Sequence, residues 1–179
     1  AVDITVIGTT VTAAVGAPYD DITGAAQAGR VRIYTRNGDT GVWSLQDTIT
    51  ASSAQADAHF GAALAFDGQQ LIVGAPDEDV SGLTDAGAAY LYFQTGSDWG
   101  TGERFVAPAA NRSIGDNFGF DVVIKDNWFM AGAPGDNEGL ENDAGAIYGF
   151  KRIAGVWSFQ QRILDFTVGA FDKIGAQID

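Results

Sequence analysis

Ten of the 23 acidic residues fall in three short windows, 17–27, 75–85 and 133–143, and no lysine or arginine lies in any of them. They are Asp20 and Asp21, then Asp77, Glu78, Asp79 and Asp85, then Asp136, Glu138, Glu141 and Asp143. Carboxylates without basic neighbours, placed alike in three windows, either collect a hard cation or form a solvated negative rim. Asp77, Asp79 and Asp85 in one window, or Asp136, Asn137 and Asp143 in another, offer several oxygens. Backbone carbonyls and water would complete the roughly six to eight ligands of a calcium shell. The first window has Gln27 where the others have Asp85 and Asp143, and is the weakest candidate. No window has a recognised ligand spacing, so the rim stays the alternative.

Other chemistries are poorly provided for. The chain has one histidine, His59, and no cysteine. This excludes a thiol nucleophile and a multi-histidine metal centre. A lone histidine reads as structural or exposed rather than as a ligand. There is no Gly-x-Ser-x-Gly elbow and no phosphate loop. A carboxylate pair for glycoside hydrolysis stays open, but acids repeated in three places do not describe one active site. The expectation is a non-catalytic protein.

The elements that hold these windows follow from a repeat. Gly16-Ala17-Pro18, Gly74-Ala75-Pro76 and Gly132-Ala133-Pro134 recur at a constant step of 58 residues. Ala28-Gly29, Ala86-Gly87 and Ala144-Gly145 keep the same step, as do Phe60-Gly61 and Phe118-Gly119. Self-similarity at such a period means an array of supersecondary units that bury their faces on one another.

Each unit resolves into four short strands. In the middle one they are Ala62–Phe66, Gln70–Gly74, Gly87–Phe93 and Arg104–Val106. Asp67-Gly68 is a hairpin signal, and Pro76 ends the second strand because proline cannot donate to a ladder. The third unit matches with Asp121–Lys125, Trp128–Gly132, Gly145–Lys151 and Val156–Ile163. The first gives Ile4–Ile7, Thr10–Gly16, Gly29–Arg36 and Val42–Ile49. No stretch has a capped 3.6-residue stripe, so helices are not expected. Four antiparallel strands per unit with glycine and aromatic landmarks describe propeller blades. Gly74 and Gly132 would permit close backbone approach between sheets. Phe60, Phe118, Trp43, Trp99 and Trp157 would fill the wedges between them, or else stack on sugar rings.

With Phe-Gly, then Gly-Ala-Pro, then Ala-Gly before an aromatic strand, the chain resembles the FG-GAP repeat family of integrin α-subunit propellers, in its bacterial secreted form. The motif residues are Gly16, Pro18, Phe60, Gly61, Gly74, Pro76, Phe118, Gly119, Gly132 and Pro134. The resemblance implies an all-β fold in which residues 1–179 form part of one β-propeller domain. Its blades would span about 2–50, 60–107 and 118–164, with a further blade starting at 172–179. It implies an extracellular or cell-surface adhesion or binding module in a seven-bladed ring. The family's usual calcium cage lies between Phe-Gly and Gly-Ala-Pro. Here that stretch holds only Phe66-Asp67-Gly68-Gln69-Gln70 or Lys125-Asp126-Asn127-Trp128, so no calcium is expected in these hairpins. By family geometry the acidic windows share a face with the connections 51–59, 107–117 and 164–172. Asp20, Asp21, Glu78, Glu138, Glu141 and His59 would then belong to a ligand face. The expected partner is a protein or a glycan; a lectin and a purely structural array are the alternatives.

Bulk composition limits the partners. A formal charge of −13 argues against nucleic-acid backbones and anionic membranes. At 46% hydrophobic the chain can build a core, yet no apolar run reaches the length of a membrane span. No charged-then-apolar leader opens it, so any export signal has been removed or lies outside this sequence. The absence of cysteine leaves the compartment open. Three units fall short of the four to eight blades of a closed ring. The remaining blades would come from a longer chain, the favoured expectation, or from further copies.

Overall fold

The computed structural model describes residues 1–137, 142–164 and 170–178, and the apolar runs between turn signals all become strands. Sheet I contains β1 (Val2–Ile7), β2 (Thr10–Ala17), β3 (Arg30–Arg36) and β4 (Trp43–Ile49). Sheet II contains β5 (Ala63–Asp67), β6 (Gln70–Ala75), β7 (Ala88–Phe93) and β8 (Glu103–Phe105). Sheet III contains β9 (Val122–Lys125), β10 (Trp128–Ala133), β11 (Ala146–Ile153) and β12 (Val156–Ile163). Each sheet is antiparallel and runs in simple sequence order. Among the described residues there is no helix. The glycines expected to open the third strands, Gly29, Gly87 and Gly145, lie just outside them at φ of 84°, 82° and 82°. A strand residue does not hold that conformation.

The strands alternate faces, so each sheet offers one side to its predecessor and one to its successor. Sheet II turns Leu64, Phe66, Leu71, Val73, Tyr90 and Tyr92 toward Ala14, Val31 and Ile33 of sheet I. Its other side, with Ala63, Ile72, Ala89 and Leu91, meets Val122, Ile124, Phe129, Ala131, Tyr148 and Phe150 of sheet III. Small residues on one side and aromatics on the other let the sheets interdigitate. Phe60 and Phe118 lie fully buried at these two seams. Removing the ring from either would cost about 3–5 kcal/mol.

The three repeated motifs meet at one junction between consecutive sheets. The Phe60 and Phe118 amides donate to the carbonyls of Ala28 and Ala86, at 3.0 and 3.1 Å. A Cβ on Gly16 or Gly74 would overlap the carbonyl oxygen of Gly61 or Gly119. The Gly-Ala-Pro glycine of one unit therefore receives the Phe-Gly glycine of the next. Residues 170–178 repeat this: Ile174 donates to Ala144 at 3.0 Å, and Gly175 lies against Gly132.

Among the described residues, no sheet lies against the side of sheet I turned away from sheet II. Val2, Ile4, Val6, Val15, Trp43 and Leu45 are exposed there. Trp99 and Trp157 are buried in seams as expected, whereas Trp43 is 42% exposed. Trp43 pairs with Arg36 as Trp157 pairs with Arg152. It holds the same place in its sheet but lacks a preceding sheet to cover it.

Candidate functional site

The acidic windows form the loops between the second and third strands, and their described residues are built alike. In each, a backbone turn forms after Gly-Ala-Pro: Asp20 donates to Ala17, Glu78 to Ala75 and Asp136 to Ala133. The carbonyls of the same three acids receive the amides of Gly29, Gly87 and Gly145. The next residue pins the loop internally. Side-chain oxygens of Asp21, Asp79 and Asn137 accept from the amides of Gln27, Asp85 and Asp143, at 2.9, 3.1 and 2.9 Å. Those three donors have φ of 48°, 52° and 51°, which the side-chain hydrogen bond helps to hold.

The acid two residues after the proline of each loop turns toward its own sheet. Glu78 is 1% exposed and takes Arg104 Nη2 at 2.5 Å and Nε at 2.6 Å, while Tyr90 donates its hydroxyl at 2.7 Å. Asp136, 2% exposed, repeats this with Arg162 at 2.5 Å and the Tyr148 hydroxyl. Burial, then the adjacent carboxylate, pushes both phenols well above the ordinary tyrosine range. In sheet I, Asp20 is held by Arg30 at 3.0 Å and Arg32 at 2.6 Å.

The structure gives three of the sequence candidates a partner from their own sheet. Asp136 was a candidate calcium ligand, and Asp20 and Glu78 were candidates for the ligand face. Each has a guanidinium that the loop sequence does not contain, delivered by the third or fourth strand. Their role is to lock the loop onto its sheet. The missed partners left a signal, because Tyr90 and Tyr148, and Arg104 and Arg162, keep the same 58-residue step as Glu78 and Asp136.

The remaining candidates gather between the loops and the connections that enter sheets II and III. Asp77 lies between His59 and Asn117: His59 Nδ1 is 2.5 Å from Asp77 Oδ2, and Asn117 Nδ2 donates to Asp77 Oδ1 at 2.8 Å. His59 packs edge-on against Tyr19 of the first loop, with ring centroids 4.8 Å apart, and Tyr19 is 70% exposed. Gln55 clasps Asp79 through its backbone in both directions, at 3.0 Å each. Burial, then the charges of Asp77 and Asp79, raise the Asp85 pKa, with Asp57 adding to the rise and His59 opposing it. Acidic windows and connections therefore share one end of the sheets. Glu138 and Glu141 lie outside the described residues.

These contacts describe a single strand–loop–connection unit, and one such unit is matched by a family model. Residues 43–92 match the model described as FG-GAP repeat. This stretch is similar to an FG-GAP repeat. The matched window runs from β4 through β7 and contains Phe60-Gly61, Gly74-Ala75-Pro76 and the loop at Asp77–Asp85. A comparison with curated proteins found no match.

The hairpins at the other end of the sheets are tight. Their turns have two residues each, Gly8-Thr9, Gly68-Gln69 and Asp126-Asn127. Asp67 takes the amide of Asp126 at 2.5 Å and Lys125 Nζ at 3.3 Å. Among the described residues, no group of three or more His, Asp or Glu side chains converges on a metal-sized site.

One buried acid is unrelated to the repeat. Asp116, fully buried in the connection to sheet III, stands where Ala58 stands one unit earlier. Its Oδ2 accepts from the Ser113 amide at 2.5 Å, and its Oδ1 has no partner. Burial pushes its pKa up to about 7; Asp136 adds to the rise, and the Ser113 amide, Arg162 and Arg112 oppose it.

Proposed function

We propose that the protein is a non-catalytic binding module of β-propeller type, working at a cell surface or in the extracellular space. Its loop end would engage a protein partner with a basic surface. The observation that carries the reading is the separation of charge. The acids that need neutralising, Glu78 and Asp136, are buried under arginines, whereas Asp21, Asp57 and Asp79 are left exposed at the loop end, as is Tyr19. Solvated carboxylates and an exposed aromatic favour a cationic partner. The FG-GAP match supports the propeller reading, since such repeats typically belong to surface proteins. No helix among the described residues is long and apolar enough to cross a membrane. The exposed apolar side of sheet I supports ring formation, because its counterparts in sheets II and III are buried by a preceding sheet.

The test is binding of a deca-lysine probe by two triple variants that remove equal charge. Asp57→Asn/Asp79→Asn/Asp85→Asn should weaken it at least tenfold, about 1.4 kcal/mol. Asp39→Asn/Asp98→Asn/Asp126→Asn, at other sites, should leave it nearly unchanged. Equal losses would mean that only net charge matters, and the assignment of the loop end would fall.

A further inference from the structure

A cleft opens between sheets I and II at the end opposite the acidic loops, beside the strand-joining hairpins. It encloses about 430 Å³, within the size range of small-molecule sites. Thr10, Thr12, Thr35 and Gln46 line it from sheet I, and Gln69, Gln94 and Ser97 from sheet II. None of its lining residues is ionisable, in a chain of formal charge −13. A second hollow of about 480 Å³ shares Thr10 and Thr35 with it and continues past Ser44, Asn37 and the cationic Arg36. Together they make an elongated groove of hydroxyls and amides with one charged side chain, Arg36.

The amides at its wall are incompletely satisfied. Gln46 reaches across the seam and donates from Nε2 to the Ser97 carbonyl at 2.8 Å. That bond fixes which way the amide faces, and it leaves Oε1 as a buried acceptor without a donor. Gln94 Oε1 is likewise buried and unpartnered. An unpaired buried acceptor costs about 1–3 kcal/mol, so each favours a donor brought from the cleft by a small side-chain rotation. At these two amides the donor must be neutral, because no side chain lining the first cleft would balance an ion. It must also accept hydrogen bonds, because the threonine and serine hydroxyls donate as well. Hydroxyl groups spaced along a chain meet both demands.

We propose that this groove is a binding site for a neutral oligosaccharide, held by hydrogen bonds to amides and hydroxyls rather than by aromatic stacking. It is separate from the loop end and does not depend on the reading given above for that end.

Calorimetric titration with maltotriose, cellotriose and mannotriose, and with trigalacturonate as the anionic counterpart, tests the assignment. At least one neutral trisaccharide should bind with a Kd of about 1 mM or tighter. Gln46→Met and Gln94→Met should each weaken it at least tenfold with the melting temperature preserved. If either variant fails to fold, Thr35→Val supplies the same comparison from the opposite wall. No neutral binding, binding indifferent to these variants, preference for the anionic sugar, or a crystal structure with ordered water alone on the two amide oxygens would overturn the proposal.

Discussion

Replacing Asp116 with asparagine should stabilise the protein, and by more at alkaline pH than in mild acid. Asp116 is fully buried, its pKa is pushed up to about 7, and one of its oxygens has no donor. In the unfolded chain the group titrates near its ordinary value of about 3.9. A folded-state pKa above the unfolded one favours folding fully below about 3.9, and the benefit is lost as pH rises through about 7. At one unit of pH per 1.36 kcal/mol, ionisation costs the fold about 4 kcal/mol at pH 8 and about 1.5 kcal/mol at pH 5. Asparagine keeps an oxygen for the Ser113 amide and never ionises, so it removes that cost at both values. The variant's advantage should therefore shrink by about 2–3 kcal/mol between pH 8 and pH 5. For a chain of this size that corresponds to roughly 4–12 °C in Tm. Thermal unfolding of both proteins across that range measures it, and taking the difference cancels every other titrating group. An advantage independent of pH, or a variant less stable than the parent at pH 8, would refute the reasoning.

Arg104→Met should destabilise by about 2–3 kcal/mol in urea, less than the 3–5 kcal/mol of a wholly buried pair because Arg104 is one-third exposed. Adding Glu78→Gln to that variant should recover part of the loss, and full additivity would mean that the two groups do not interact. Gly74→Ala should cost about 2–3 kcal/mol through overlap with the Gly119 carbonyl. Gly82→Ala, with open space around it, should cost only about 1 kcal/mol from its positive φ; equal losses would remove the junction argument. Any calcium-induced rise in Tm should survive Asp67→Asn and disappear in Asp79→Asn/Asp85→Asn, since a native-state ligand stabilises by mass action. Its disappearance in Asp67→Asn would place the ion in the hairpins instead.

The strands were legible because each is a short apolar run closed by a turn pair or by proline. The observed ends lie within two residues of the expected ones, and the start of each third strand moves because a glycine at positive φ stands outside the ladder. The repeat step also carried the seams, since Phe60 and Phe118 lie in equivalent buried positions. The fate of the individual acids was not legible. Glu78 and Asp79 are neighbours of one chemical type, yet one is buried and the other exposed. What separates them is Arg104, which lies 26 residues downstream and reaches the loop only after the fourth strand has formed. A window-by-window count of charge does not register a partner delivered by another strand.

The same comparison explains why the loop framework persists while its surface differs. Sheets II and III supply the inward acid with a tyrosine from the third strand and an arginine from the fourth. Sheet I supplies Asp20 with Arg32, which occupies the tyrosine's place, and with Arg30. Two partner sets satisfy one requirement: a carboxylate under the loop must not be left unpaired. Once the inward acid and the internal Asp or Asn hydrogen bond fix the backbone, the residue after the proline is free to be Tyr19, Asp77 or Gly135. Those are the side chains that meet the connection of the following unit, as Tyr19 meets His59 and Asp77 meets Asn117. Chemical variety at the loop end is therefore compatible with a constant fold, because the contacts that hold the loop are different from those it presents.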